Sequence, residues 1–124
     1  MNKQLKNAVI RQLGGKDSLE DIANHGIDGG FTGFIYYTDT VAFYKRQRKN
    51  ILELAKAMAS DFGQDVVSMI AGFNCLTDDD ETRESIARCL WGRVTDDDTQ
   101  VANALAWFAA EEVAREYVDS LENA

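Results

Sequence analysis

Not one of the 124 residues is proline. Proline is the side chain that most reliably ends or kinks a helix, because it lacks the backbone N–H and clashes with the preceding turn. The other breaker is glycine, and six of the nine glycines precede residue 34. Most of the chain is therefore free to run in long helices, with its punctuation gathered near the start. A hydrophobic content of 45% over this length suffices for one domain with its own core. No apolar run approaches the ~18 residues of a membrane span. Met1 to Gly15 lacks the hydrophobic segment and cleavage site of a signal peptide, so neither export nor membrane insertion is expected. Cys75 and Cys89 are too few for a secreted disulfide scaffold, and both are expected reduced and buried, in a cytosol.

Periodicity gives the elements. Leu5, Val9 and Leu13 recur every four residues with Lys3, Lys6 and Arg11 between them, and Gly14-Gly15 closes this first helix. Asp17 or Ser18 can cap a second, with Leu19, Ile22 and Ala23 inward and Gly26 at its end. From Gly26 to Thr40 the pattern changes: Gly29, Gly30 and Gly33 frame Phe31, Phe34, Ile35, Tyr36 and Tyr37, a short strand or an ordered aromatic loop. Thr38 or Thr40 caps a long helix in which Val41, Tyr44, Ile51, Ala55, Met58 and Phe62 mark the inner face, up to Gly63. Val66, Met69, Ile70 and Phe73 supply the next. Thr77 with Asp80 resembles a capping box ahead of a helix carrying Ile86, Cys89 and Leu90 to Gly92, and Thr95 to Asp98 repeat the device. In the last helix Val101, Leu105, Phe108, Val113, Tyr117 and Leu121 form the inner stripe. Six alanines pad it and leave a homodimer through that helix open. The expected fold is all-α: one domain over residues 1–124, a bundle of about six helices.

Chemistry finds little purchase. A catalytic triad would have to be built on His25, the single histidine, which stands where an imidazole meets the negative end of a helix dipole. The cysteines are fourteen apart and lack zinc-ligand partners. Asp78-x-Asp80-x-Thr82 begins like a calcium loop, but Arg83 stands where the turn glycine belongs. Gly29 to Gly33 lacks the lysine of a phosphate loop. Tyr36, Tyr37, Thr38 and Asp39 beside glycines are the nearest thing to a pocket and read more simply as a helix entry. Glu111 and Arg115 are spaced as an i,i+4 ion pair, which makes the acids of the last helix a solvated face. No catalytic residue, metal or cofactor is expected, and the chain is expected not to be an enzyme.

Charge points instead to binding. The net charge of −8 is unevenly placed: residues 1–62 carry nine Lys/Arg against seven Asp/Glu, residues 63–124 four against fourteen. Asp78, Asp79, Asp80, Glu81 and Glu84, with Asp96, Asp97 and Asp98, exceed what helix capping needs and form a candidate surface for a basic partner. The opposite candidate is Lys45, Arg46, Arg48 and Lys49, directly after Tyr44. Four cations in five positions spread over about 300° to 400° of a helix, so they cannot all face one partner. They suit a nucleic-acid patch, or an intramolecular match for the acidic half.

Two blocks, Gly29 to Thr40 followed by Ala42-Phe43-Tyr44, and Asn103 to Tyr117, resemble a family of small uncharacterised acidic proteins carried by bacteriophages, plasmids and integrated elements. The likeness runs from about Ile22 to Tyr117 and brings no catalytic residues with it. It implies a context in which small acidic proteins act as anti-CRISPR or antirestriction factors. The leading expectation is thus a non-enzymatic inhibitor that docks its carboxylates on a basic, nucleic-acid-handling host defence protein and touches no nucleic acid itself. The alternative is a DNA-associated accessory or regulatory protein using the basic stretch 45–49.

Overall fold

The computed structural model describes residues 2–13, 20, 37–63, 65–72, 80–92 and 99–122. Among them are five helices and no strand: α1 (Lys3–Leu13), α2 (Tyr37–Phe62), α3 (Asp65–Gly72), α4 (Asp80–Trp91) and α5 (Thr99–Glu122). Of the expected short helix after Asp17 only Glu20 is among the described residues, where it is helical, and most of the aromatic segment lies outside them. Its last member, Tyr37, opens α2 instead of extending a strand or loop. That start also corrects the expected cap. Thr38 and Thr40 lie inside the first turns of α2, and the Thr40 hydroxyl donates to Asn103 Oδ1 at 2.8 Å in the core. Tertiary pairing, not capping, uses this threonine.

The helices end where the glycines predict. Gly63 adopts φ +61° and its N–H donates to the Ala59 carbonyl at 2.8 Å, closing α2 with a left-handed residue. At Gly92 the N–H reaches the Arg88 carbonyl, and an added Cβ would come within 2.5 Å of that same oxygen, so α4 needs glycine there for space.

The hub is α5, which contacts all four other helices and most extensively α2. Between Val101 and Ala114 every residue is buried except Trp107, Glu111 and Glu112, which are partly so. A helix apolar on all sides belongs inside a bundle. Ala102, Ala104, Ala106, Ala109, Ala110 and Ala114 are all buried within this one chain, where their small side chains let neighbouring helices approach closely. They are thus consumed by the chain's own core and leave no alanine face for a second copy. Around this hub sit Leu5 and Val9 of α1, Phe43, Tyr44, Ile51, Leu52 and Ala55 of α2, Val66, Val67, Ile70 and Ala71 of α3, and Ile86, Cys89 and Leu90 of α4. The inner stripe fades toward the end of α5: Tyr117 is partly buried and Leu121 is 49% exposed.

Candidate functional site

The site is built where α1 lies antiparallel on the first half of α2. Asn2 caps α1, its Oδ1 accepting from the backbone N–H of Gln4 at 2.8 Å and of Leu5 at 3.1 Å. The same side chain ties the helices together, because Asn2 Nδ2 donates to Asn50 Oδ1 at 2.9 Å, while Asn50 Nδ2 donates to Gln47 Oε1 at 3.0 Å. At the other end of α1, Arg46 Nη2 approaches Gln12 Oε1 at 3.5 Å, a long contact that crosses between the helices. Leu5 and Val9 anchor α1 in the core and leave a cleft beside it. That cleft, of about 280 Å³, is lined by Ala8, Arg11 and Gln12 from α1 and by Phe43, Arg46 and Gln47 from α2.

Its electrostatics follow from composition. Residues 3–13 hold three Lys/Arg and residues 40–52 hold four, and neither stretch contains an Asp or Glu. At 100° per residue, Lys45, Lys49 and Arg46 fall within about 100° of one face of α2 and Arg48 lies about 60° beyond Lys45, so the four share an arc of about 160°, narrower than the spread expected. Within that arc Lys45, Arg46 and Lys49 are exposed and Arg48 is partly buried. Arg11, across the cleft, is exposed as well. Among the described residues, none of Arg11, Lys45, Arg46 and Lys49 is in an ion pair.

Tyr44 requires a correction. The nucleic-acid reading of the basic run includes Tyr44 as a binding residue, but its side chain is 0% exposed and is the largest fully buried group among the described residues. The core periodicity that also contains Tyr44 is the reading that holds, so the basic surface consists of cations without this aromatic.

The acidic candidates divide. Asp78, Asp79, Asp96, Asp97 and Asp98 lie outside the described residues, as do His25 and Tyr36. Asp80 and Glu81 open α4, and Glu84, one turn on, is exposed. On α5 the expected ion pair is present, Arg115 donating to Glu111 and, at 3.4 Å, to Glu112 Oε1. Glu116 and Asp119 are exposed, as a solvated face requires, but Glu111 and Glu112 depart from that expectation, their side chains being each only 14% exposed. Burial accordingly pushes the Glu112 carboxyl above its usual range, Arg115 pulls it back and Glu111 pushes it up again. Among the described residues no group of His, Cys, Asp or Glu could hold a metal ion, and no helix is long and apolar enough to cross a membrane.

Sequence reasoning missed Arg11, Gln12, Phe43 and Gln47 as members of one site. The available signal was the shared absence of acids from residues 3–13 and 40–52, which marks two segments able to pool their positive charge. No curated protein and no solved structure matches the chain. A family model does, over residues 2–123, and on that match the chain belongs to the family described as Domain of unknown function (DUF7222).

Proposed function

We propose that this domain is a non-enzymatic binding module whose α1–α2 face docks on nucleic acid, in the manner of a DNA-associated accessory or regulatory protein. One observation carries the proposal: Arg11 and Arg46 line a single cleft, with Lys45 and Lys49 alongside and no ion pair on any of the four among the described residues. Cations held together and left unneutralised attract phosphates, and their release of counterions makes affinity fall with salt. Four phosphate contacts correspond to a log–log slope of about −3.6, a loss of about 10²-fold between 50 and 200 mM salt. Fluorescence anisotropy of a labelled duplex, titrated at several salt concentrations, tests this directly. Replacing Lys45 and Lys49 by Gln should flatten the slope by about 2. No binding at 20 mM salt, or a slope near zero, removes the proposal.

A second reading rests on the charge of residues 63–124, four Lys/Arg against fourteen Asp/Glu, and on the exposure of Glu84 beyond the start of α4. In it the carboxylates of residues 78–81, 84 and 96–98 occupy a Lys/Arg-lined groove of a host defence protein as a phosphate competitor. The resemblance to small proteins of mobile elements supplies its context. Changing Asp78, Asp79 and Asp80 to Lys should abolish inhibition of restriction or CRISPR targeting in a phage-plating assay. Unchanged inhibition by a variant with native circular dichroism would leave those acids as helix caps alone.

A further inference from the structure

The cleft between α1 and α2 has a chemistry narrower than that of a basic surface. Its polar lining consists of two guanidinium groups and two carboxamides, with the Phe43 ring in its wall. Gln47 Oε1 already accepts from Asn50, and its NH₂ group adds a donor. Arg11 and Arg46 only donate. No carboxylate lines the cleft. A lining so rich in donors excludes a metal cation and suits an oxyanion with several acceptor oxygens, for which the planar guanidinium fork is the best-matched side chain.

Charge selects among such anions. A phosphodiester within a strand carries one negative charge, whereas a terminal phosphomonoester carries about −1.5 to −2 at pH 7 and presents three acceptor oxygens. Two guanidinium groups converging on one cleft match the second. The two helices are held together by side-chain hydrogen bonds at Asn2–Asn50 and Gln12–Arg46. At about 280 Å³ the cleft lies at the lower end of small-molecule pockets, which are roughly 300–1,000 Å³. A single terminal group entering from outside fits these limits.

We infer that the Arg11–Arg46 cleft receives the terminal phosphomonoester of a nucleic-acid strand. The inference rests on the nucleic-acid reading above and narrows it from a backbone face to recognition of a phosphorylated end. Lys45 and Lys49 then hold the following phosphodiesters along the outer surface of α2.

The test is anisotropy with the full chain and fluorescently labelled single strands bearing a 5′-phosphate, a 3′-phosphate or hydroxyls at both ends. Competition with inorganic phosphate and with a free mononucleotide runs in parallel. One phosphorylated strand should bind about tenfold or more tightly than the hydroxyl-ended strand. Arg11→Gln and Arg46→Gln should each abolish the preference for the phosphorylated over the hydroxyl-ended strand, while Lys45→Gln weakens all strands alike and keeps that preference. Circular dichroism and an unchanged urea midpoint verify that the arginine variants are folded. Equal binding of all ends, with salt dependence intact, overturns the end site and leaves nucleic-acid docking standing. Absence of binding to any strand overturns both. If the mononucleotide binds in an Arg11- and Arg46-dependent way and no strand does, the cleft is a phosphate site, but its ligand is a free nucleotide and the strand-end assignment fails.

Discussion

The hydrogen bond from Thr40 to Asn103 joins two side chains 63 positions apart in the core and sets where α2 begins along α5. Thr40→Val keeps the volume and removes the donor. Asn103 Oδ1, in a side chain buried at 8% exposure, is then left without that hydroxyl, at a cost of about 1–3 kcal/mol. Asn103→Leu removes the acceptor from the other side and should cost a similar amount. Apolar groups at both positions leave neither partner stranded, so the double variant should recover at least half of the summed loss. A coupling of about 1–2 kcal/mol is expected on this basis. Urea denaturation followed by far-UV circular dichroism measures it, provided the m-value is unchanged across the four proteins. Each kcal/mol corresponds to about 4 °C in thermal midpoint for a domain of this size. Additive single effects with no coupling would refute the reasoning, since the two residues would then act through separate contacts. The functional consequence is equally checkable. Thr40 lies less than two turns before Lys45 and Arg46, so a slipped register would move both cations relative to Arg11 and lower strand affinity in the single variants more than in the double.

Two further expectations follow from local geometry. Gly63→Ala forces a Cβ onto a residue at φ +61°, and although no atom lies within 4 Å of that Cβ, the backbone conformation alone should cost about 1–2 kcal/mol in the same urea assay. Glu112 supplies a pH signature: with its folded-state pKa raised above the ordinary 4.5, the folded protein holds the proton more tightly than the unfolded chain does. Stability from this group is therefore fully present below pH 4.5 and is lost as pH rises through the folded value. Glu112→Gln abolishes that titration, so the stability of the variant relative to the native protein should improve between pH 4 and pH 7; a difference that stays constant or runs the other way would show that Arg115, not burial, governs the carboxyl.

Much of the helical layout is written in the sequence because its signals are local. The four-residue recurrence of Leu5 and Val9, the inner stripe of α2 and the glycines at 63 and 92 each specify an element without reference to the rest of the chain. The start of α2 is harder. Thr38 and Thr40 are both good capping types, and only the position of Asn103, far away in sequence, decides that Thr40 lies buried inside the helix. The alanines of α5 are ambiguous for a similar reason: a methyl group is tolerated inside or outside, and its burial is decided by what surrounds the helix. The candidate cleft was least legible, since it exists only when Arg11 of α1 is brought beside Arg46 of α2. The basic run itself could be seen, but its division into an outward Lys45, Arg46 and Lys49 and a partly buried Arg48 depends on which face of α2 meets α5.

The separation of charge also bears on how the domain would meet a polyanion. An acidic protein is repelled by nucleic acid on average, and docking requires one orientation to prevail over that repulsion. Such orientation arises here from two arrangements in the fold. Glu111 and Glu112 of α5 are tucked beneath Arg115, which binds both and moderates their field. The cations of Arg11, Lys45, Arg46 and Lys49 instead stand outward, with no ion pair among the described residues. On the proposed reading, a chain of net charge −8 that leaves these four cations without an ion pair approaches a phosphate backbone with them foremost, since its net charge is repelled. Screening weakens this orientational preference as the Debye length shrinks to about 8 Å near 0.15 M. Weak affinity at physiological salt is thus the natural condition of a backbone-only face. Useful binding there needs a site whose contacts are enclosed enough to resist screening, and in the described fold the Arg11–Arg46 cleft is where the basic surface becomes concave.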